Sequence, residues 1–171
     1  SRPHTSDSPG CLPVGFISGF IAAQLPALLR SKIVPKMETL NIPNWEDKVD
    51  LILEEAINED IRAIASIPAV AQAMAERALE KYRVKNLREI WPNLQGLVYS
   101  GVSLGSEARD KFRKLYGARA ESDLTFWEMY AATEGQFAHT FLPGVEGMCF
   151  NPFENFYLFL DGESPKPYLM H

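Results

Sequence analysis

A threonine and a carboxylate stand together where a run of strand-forming residues ends. Thr125 to Tyr130 mixes β-branched and aromatic side chains and then gives way to Ala131, Ala132, Thr133, Glu134 and Gly135. That composition suits a half-buried strand, and the small residues after it leave the backbone uncrowded for a bulky ligand. Thr133 can donate to a phosphate oxygen, and Glu134 offers hard oxygen to a divalent cation that keeps most of its waters. The chemistry these two types could share is the holding of a nucleotide phosphate and its magnesium. Taken alone, the triplet also suits a strand-end turn with a solvated glutamate.

Two upstream segments narrow the choice. Leu97 to Ser100 reads as a buried strand that opens through Gly101, Val102, Ser103 and Leu104 into a helix capped by Ser106, a seat for a flat heterocycle. Ile90, Trp91, Pro92, Asn93 and Leu94 stand at the strand's entrance. In this order the pieces resemble the adenylate-forming superfamily of acyl and aryl ligases. More narrowly, they resemble the auxin-responsive-promoter family of acyl-acid amido synthetases and its bacterial relatives. There a Trp-Pro-Asn-Leu segment leads a strand into a Ser/Thr-Gly loop, and a Tyr-Ala-x-Ser/Thr-Glu motif follows one helix later. The resemblance runs from about residue 12 onward, with its specific motifs between Ile90 and Phe137.

The resemblance implies ATP and Mg2+ as cofactors. It implies that Ser100, Gly101, Val102, Tyr130, Ala131 and Ala132 flank the nucleotide, that Thr133 meets the α-phosphate, and that Glu134 binds the metal. It further implies an acyl pocket using Ile67, Pro68, Val70 and Phe137. The partners would be a small carboxylic acid and an amine or thiol acceptor. Plant members usually carry two serines and then Glu-Cys where this chain has Ala132, Thr133, Glu134 and Gly135. That departure points toward bacterial members and toward phenylacetate-type coenzyme A ligases, so both acceptors stay open. A non-catalytic α/β interaction module that keeps the motif is the third reading.

Composition bounds the rest. A chain of 171 residues with 46% hydrophobic content can bury one sizeable core, and its net charge of −5 comes without a Lys/Arg cluster. Nucleic-acid binding, which requires several phosphates to be neutralised at once, is not expected. Cys11 and Cys149 have no Cys or His at ligand spacing, and reduced, partly buried thiols of a cytoplasmic protein are expected. Cys11 to Leu29 is apolar, but Pro13, Gly15, Gly19, Gln24 and Pro26 interrupt it, so a buried helix is expected over a membrane span. Of the histidines, His139 has no Ser or Cys nucleophile at recognisable spacing and reads as structural; Glu128 is expected to pair with Arg109 or Arg119.

The elements that must position these residues follow from periodicity and punctuation. Residues 1–12 read as a loop-like start, 13–135 as the α/β nucleotide- and acyl-binding region, and 136–171 as a β-rich end. Helices are expected from Phe16 to Leu29, from an Asn44 cap to about Asn58, from Pro68 to about Tyr82 with Val70, Met74, Ala78 and Tyr82 inward, and from Glu107 to Tyr116 with Gly117 ending it. Ile33 to Pro43 reads as connection. Strands are expected within Asp60 to Ser66, at Leu97 to Ser100 and at Thr125 to Tyr130, then over Gln136–Thr140, Met148–Phe150 and Asn155–Leu160, before a polar, proline-rich tail.

The fold class is therefore α/β: helices packed on a mostly parallel sheet with antiparallel or mixed C-terminal strands, part of the large N-terminal domain of an adenylate-forming enzyme. In such a sheet ligands sit beyond the carboxyl ends of the strands, where both loops fall. The apolar run Phe156 to Leu160 would promote self-association if left exposed. The Ser/Thr/Gly-rich phosphate loop and the mobile C-terminal domain of the family are not recognisable. Thr5 to Gly10 has some of the composition of that loop but neither its Gly-Thr-Thr-Gly order nor a lysine.

Overall fold

The computed structural model describes residues 26–132, 135–142, 144–145, 147–152, 157–160 and 167–169. Backbone contacts divide the chain into two compact units, Ser1–Glu55 and Ala56–His171. Among the described residues, no helix is long and apolar enough to cross a membrane. Most of the expected Phe16–Leu29 helix, with Cys11, lies outside them.

The first unit contributes three helices: α1 (Ala27–Arg30), α2 (Met37–Leu40) and α3 (Trp45–Ala56), whose last residue falls across the boundary. The Asn44 carboxamide oxygen accepts from the Asp47 N–H at 3.1 Å, the cap expected of it. Val49, Ile52, Leu53 and Ala56 are buried along one stripe of α3. Residues 33–43, expected to be plain connection, hold the single turn α2. It is pinned by the Glu55 carboxylate, which accepts from the Lys36 N–H at 2.8 Å and from the Thr39 hydroxyl.

The second unit is built on a five-stranded sheet in the order β1 (Ala63–Ala65), β2 (Gly96–Ser100), β3 (Thr125–Ala132), β4 (Gly135–Thr140) and β5 (Met148–Phe150). β1, β2 and β3 are parallel, while β3, β4 and β5 are antiparallel neighbours. Two helices make the parallel crossovers: α4 (Pro68–Tyr82) joins β1 to β2, and α5 (Ser106–Tyr116) joins β2 to β3. The α/β class and the change from parallel to antiparallel strands agree with expectation.

Local chemistry sets the helix ends. Pro68 occupies the first turn of α4, where a missing N–H is no loss, and Gly117 closes α5 with φ at +78°. Ser106 is not the cap of α5. Gly105 holds that position, without a side-chain hydrogen bond, and Ser106 is the first helical residue. The fully buried stripe of α4 is Ala71, Ala75 and Ala78 rather than the expected Val70, Met74 and Tyr82, which are only half-buried. With alanines on that stripe, α4 lies directly against α5 and the 3-10 turn Leu87–Glu89.

The segment at the entrance to β2 is structural. Trp91 is 4% exposed, and its indole N–H donates at 2.8 Å to the Ala56 carbonyl, which also accepts from the Glu59 N–H at 3.1 Å. Asn93 donates to Asp60 at 2.8 Å, and Leu94 is fully buried. Arg88 then joins two turns, donating from Nε to the Leu94 carbonyl at 2.9 Å and facing Asp123 at 3.5 Å.

At the C-terminal end, β6 (Leu158–Leu160) pairs antiparallel with β7 (Pro167–Leu169) in a separate ribbon. β7 lies in the stretch expected to be a polar tail. A proline is tolerated at the first residue of a strand, which is where Pro167 stands, opposite Leu160. Phe156, part of the run expected to promote self-association, lies outside the described residues.

Candidate functional site

The sheet gathers the two sequence-selected loops at one edge. β2 and β3 run parallel with Ser100 opposite Met129, so the chain leaves β2 at Gly101 beside Tyr130. β1 contributes to the same edge: the Ser66 N–H donates to the Val98 carbonyl at 3.0 Å, extending the ladder to the start of α4. β1 and β3 flank β2 at about 4.8 Å to either side, and β3 runs on past the level of Ser100 to Ala132.

Gly101 has φ at +90°, and a Cβ placed there would meet nothing within 4 Å. The turn therefore favours glycine and faces open space. Three large apolar side chains are exposed around it: Ile67 at 53%, Val102 at 57% and Tyr130 at 57%. Each follows, or closes, a different one of the three parallel strands. Ser100 is half-buried, whereas Ala131 and Ala132 are exposed.

β3 continues further than expected. A register shift falls between Tyr130 and Ala131, after which Ala131 pairs with Gln136 and Ala132 with Gly135. The alanines thus extend β3 rather than forming a loop, and the extra residue of the bulge, Phe137, falls on β4, the strand that bends there. Thr133 and Glu134 lie outside the described residues.

The four acyl-pocket candidates do not share one wall. Ile67 is exposed ahead of α4, Pro68 is buried beneath it, and Val70 is half-buried one turn along. Phe137 stands on β4, three strands from β1 or about 14 Å by strand spacing, with its ring centroid 5.5 Å from that of Tyr130. Phe137 therefore adjoins the Tyr130 end of the edge, and Ile67 the other end.

Beneath the loop sits a polar cluster that the sequence did not reveal. The Tyr99 hydroxyl and the Ser103 hydroxyl both donate to Glu128 Oε2, each at 3.1 Å. Burial raises the Tyr99 pKa, and the adjacent Glu128 carboxylate raises it further, so the phenol remains a donor. Arg109 on α5 lies beside Tyr99 and over the Phe126 ring at 5.7 Å; Arg113 covers the same ring at 5.4 Å. Glu128 was expected to pair with an arginine, but the β2–β3 register instead sets Tyr99 directly across from it. The only sequence signal for the cluster was the presence of hydroxyls at both ends of the loop.

His139 is half-buried and stacks on Trp127, centroids 5.7 Å apart and planes 10° from parallel, consistent with a structural histidine. Cys149 is a free thiol and is exposed, not partly buried. Among the described residues, no group of three His, Cys, Asp or Glu side chains is placed to hold a metal. No protein-family model matches the chain, and no curated protein matches it.

Proposed function

We propose that the chain is the nucleotide- and acyl-binding part of an ATP-dependent ligase that activates a carboxylic acid as its adenylate and passes the acyl group to an amine, as acyl-acid amido synthetases do. One observation carries this reading: Ser100–Val102 and Tyr130–Ala132 end adjacent parallel strands at one edge, with Ile67, Val102 and Tyr130 exposed there. Exposed apolar side chains grouped around an open glycine turn favour a flat, partly apolar ligand, because covering them removes apolar surface from water.

The nucleoside half of ATP fits these residues. Adenine would rest between Val102 and the Tyr130 ring, close to the Gly101 backbone. Magnesium, bound through Glu134, would supply charge neutralisation among phosphate oxygens. Thr133 would hold the α-phosphoryl group by a hydrogen bond. A substrate carboxylate oxygen would form a bond to the α-phosphorus as the bond to pyrophosphate breaks; the amine nitrogen would then attack the acyl carbon and AMP would leave. The protein's part is to hold two anionic reactants in line. The acyl group would extend from this edge toward Ile67 or toward Phe137.

Calorimetric titration with 5′-O-sulfamoyladenosine tests the nucleoside site. The chain should take up the analogue, and Tyr130→Ala should weaken it about tenfold, the equivalent of one aromatic stacking contact of about 1.4 kcal/mol. Absence of any binding by the unaltered chain would defeat the proposal. Amine and thiol acceptors would be separated by an acceptor screen.

A further inference from the structure

We infer that Glu128 is a positioning residue: it ties the Ser100–Val102 loop to β3 two residues before Tyr130, and so fixes the spacing between the two walls of the proposed nucleoside site. The inference rests on the function proposed above but concerns a residue that reading does not use.

The loop is bracketed by its anchors. Tyr99 immediately precedes Ser100, and Ser103 immediately follows Val102; both hydroxyls converge on the same oxygen, Glu128 Oε2, at 3.1 Å. For Ser103 to come back to the carboxylate of the neighbouring strand, the chain must turn within the loop, and the positive φ of Gly101 allows that turn. Tyr99 is 1% exposed, so one anchor belongs to the core and does not yield to solvent.

Glu128 is itself held from the opposite side. Its N–H donates to the Thr140 hydroxyl oxygen at 2.9 Å, and Thr140 is buried on β4. The tie therefore runs from the loop through Glu128 to the antiparallel half of the sheet. Tyr130 and Phe137 belong to that same β3–β4 pair. Without the carboxylate, Val102 would lose its fixed distance from Tyr130 while both strands stayed paired.

The acceptor chemistry distinguishes the tie from a general need for a charged or bulky side chain. A carboxamide oxygen has two lone pairs and can accept both hydroxyls, whereas a methyl group accepts neither. Glu128→Gln should therefore behave as the unaltered chain, and Glu128→Ala should not. Ser103→Ala removes one exposed hydroxyl and leaves the core untouched, which provides a variant with little risk to folding.

Two measurements on the full chain decide the matter: backbone NMR order parameters at Gly101, Val102 and Ser103, and calorimetric affinity for 5′-O-sulfamoyladenosine. In Glu128→Ala the order parameters should fall from the rigid range, about 0.85, to below about 0.6, while those in α4 and α5 hold. Affinity should fall about tenfold, with Ser103→Ala giving about a threefold loss and Glu128→Gln remaining within about twofold. Unchanged order parameters in Glu128→Ala would overturn the tie. Loosened loop residues with undiminished affinity would overturn the positioning role. Failure of the unaltered chain to bind the probe would remove the nucleotide reading and the positioning role with it, while the order parameters would still show whether the tie exists.

Discussion

Asp123 shows how one carboxylate can close a turn. Its Oδ2 accepts from the N–H groups of Arg119 at 2.8 Å and Ala120 at 3.1 Å, and Arg88 approaches at 3.5 Å. Chiefly through the Arg119 N–H, then that of Ala120 and the Arg88 charge, its carboxyl is held below the usual range. The folded chain thus binds this proton less readily than the unfolded chain, so the stabilisation is present at neutral pH and is lost as pH falls through the lowered value. Asp123→Asn should lower Tm at pH 7 and flatten the acid limb of Tm against pH below about 4; parallel acid limbs in thermal unfolding by circular dichroism would contradict it. Trp91 makes a comparable point in the core. Trp91→Phe removes the indole hydrogen bond while the Ala56 carbonyl keeps the Glu59 N–H as a donor, and should cost about 0.5–1.5 kcal/mol in urea unfolding; an unchanged midpoint would show the bond to be dispensable. The sequence marked Trp91 as a motif residue but could not give it a partner 35 positions away. Glu128 was similarly assigned by charge to an arginine, because the partner of a strand residue depends on register, which neighbouring sequence does not specify.

Elements were legible where backbone chemistry punctuates them. Pro68 and Gly117 mark helix ends by what proline and a left-handed glycine do to a helix, and those ends appear where expected. Burial within α4 was harder to read, since Val70 and Met74 are more hydrophobic than the alanines that occupy its inner stripe. Close helix packing selects for small size there, a property that hydrophobic periodicity does not register. This makes a prediction with an internal control: Ala75→Leu, at 2% exposure, should overpack the α4–α5 contact and cost about 1–3 kcal/mol, whereas Ala73→Leu on the exposed face should be close to neutral. Equal effects of the two in chemical denaturation would mean that the alanine stripe does not set the approach of α4. Single-turn α2 and the short β7 were missed because elements of three or four residues carry too little periodicity, and β7 begins with a proline.

Across the whole molecule, the strand–helix–strand rhythm disclosed the parallel half of the sheet, and that topology alone brings residues 100–102 and 130–132 to one edge. What the rhythm could not disclose was how the loop is held, because the Tyr99–Glu128–Ser103 tie depends on side-chain reach across a register. Holding a nucleoside and carrying out adenylation are separate demands. In-line attack on the α-phosphorus brings two anions together and requires the departing pyrophosphate to be held as well as the adenosine. Within the 171 residues, Thr5 to Gly10 is the stretch with phosphate-loop composition, yet it has no lysine and no Gly-Thr-Thr-Gly order. The chain by itself should therefore bind 5′-O-sulfamoyladenosine while releasing no pyrophosphate from ATP and a carboxylic acid beyond a Glu134→Ala control, measured by a coupled pyrophosphate assay across a panel of acyl and aryl acids. Release above that control would show that residues already in this chain hold the leaving group, and would move the search for them to the Ile67, Val102 and Tyr130 edge.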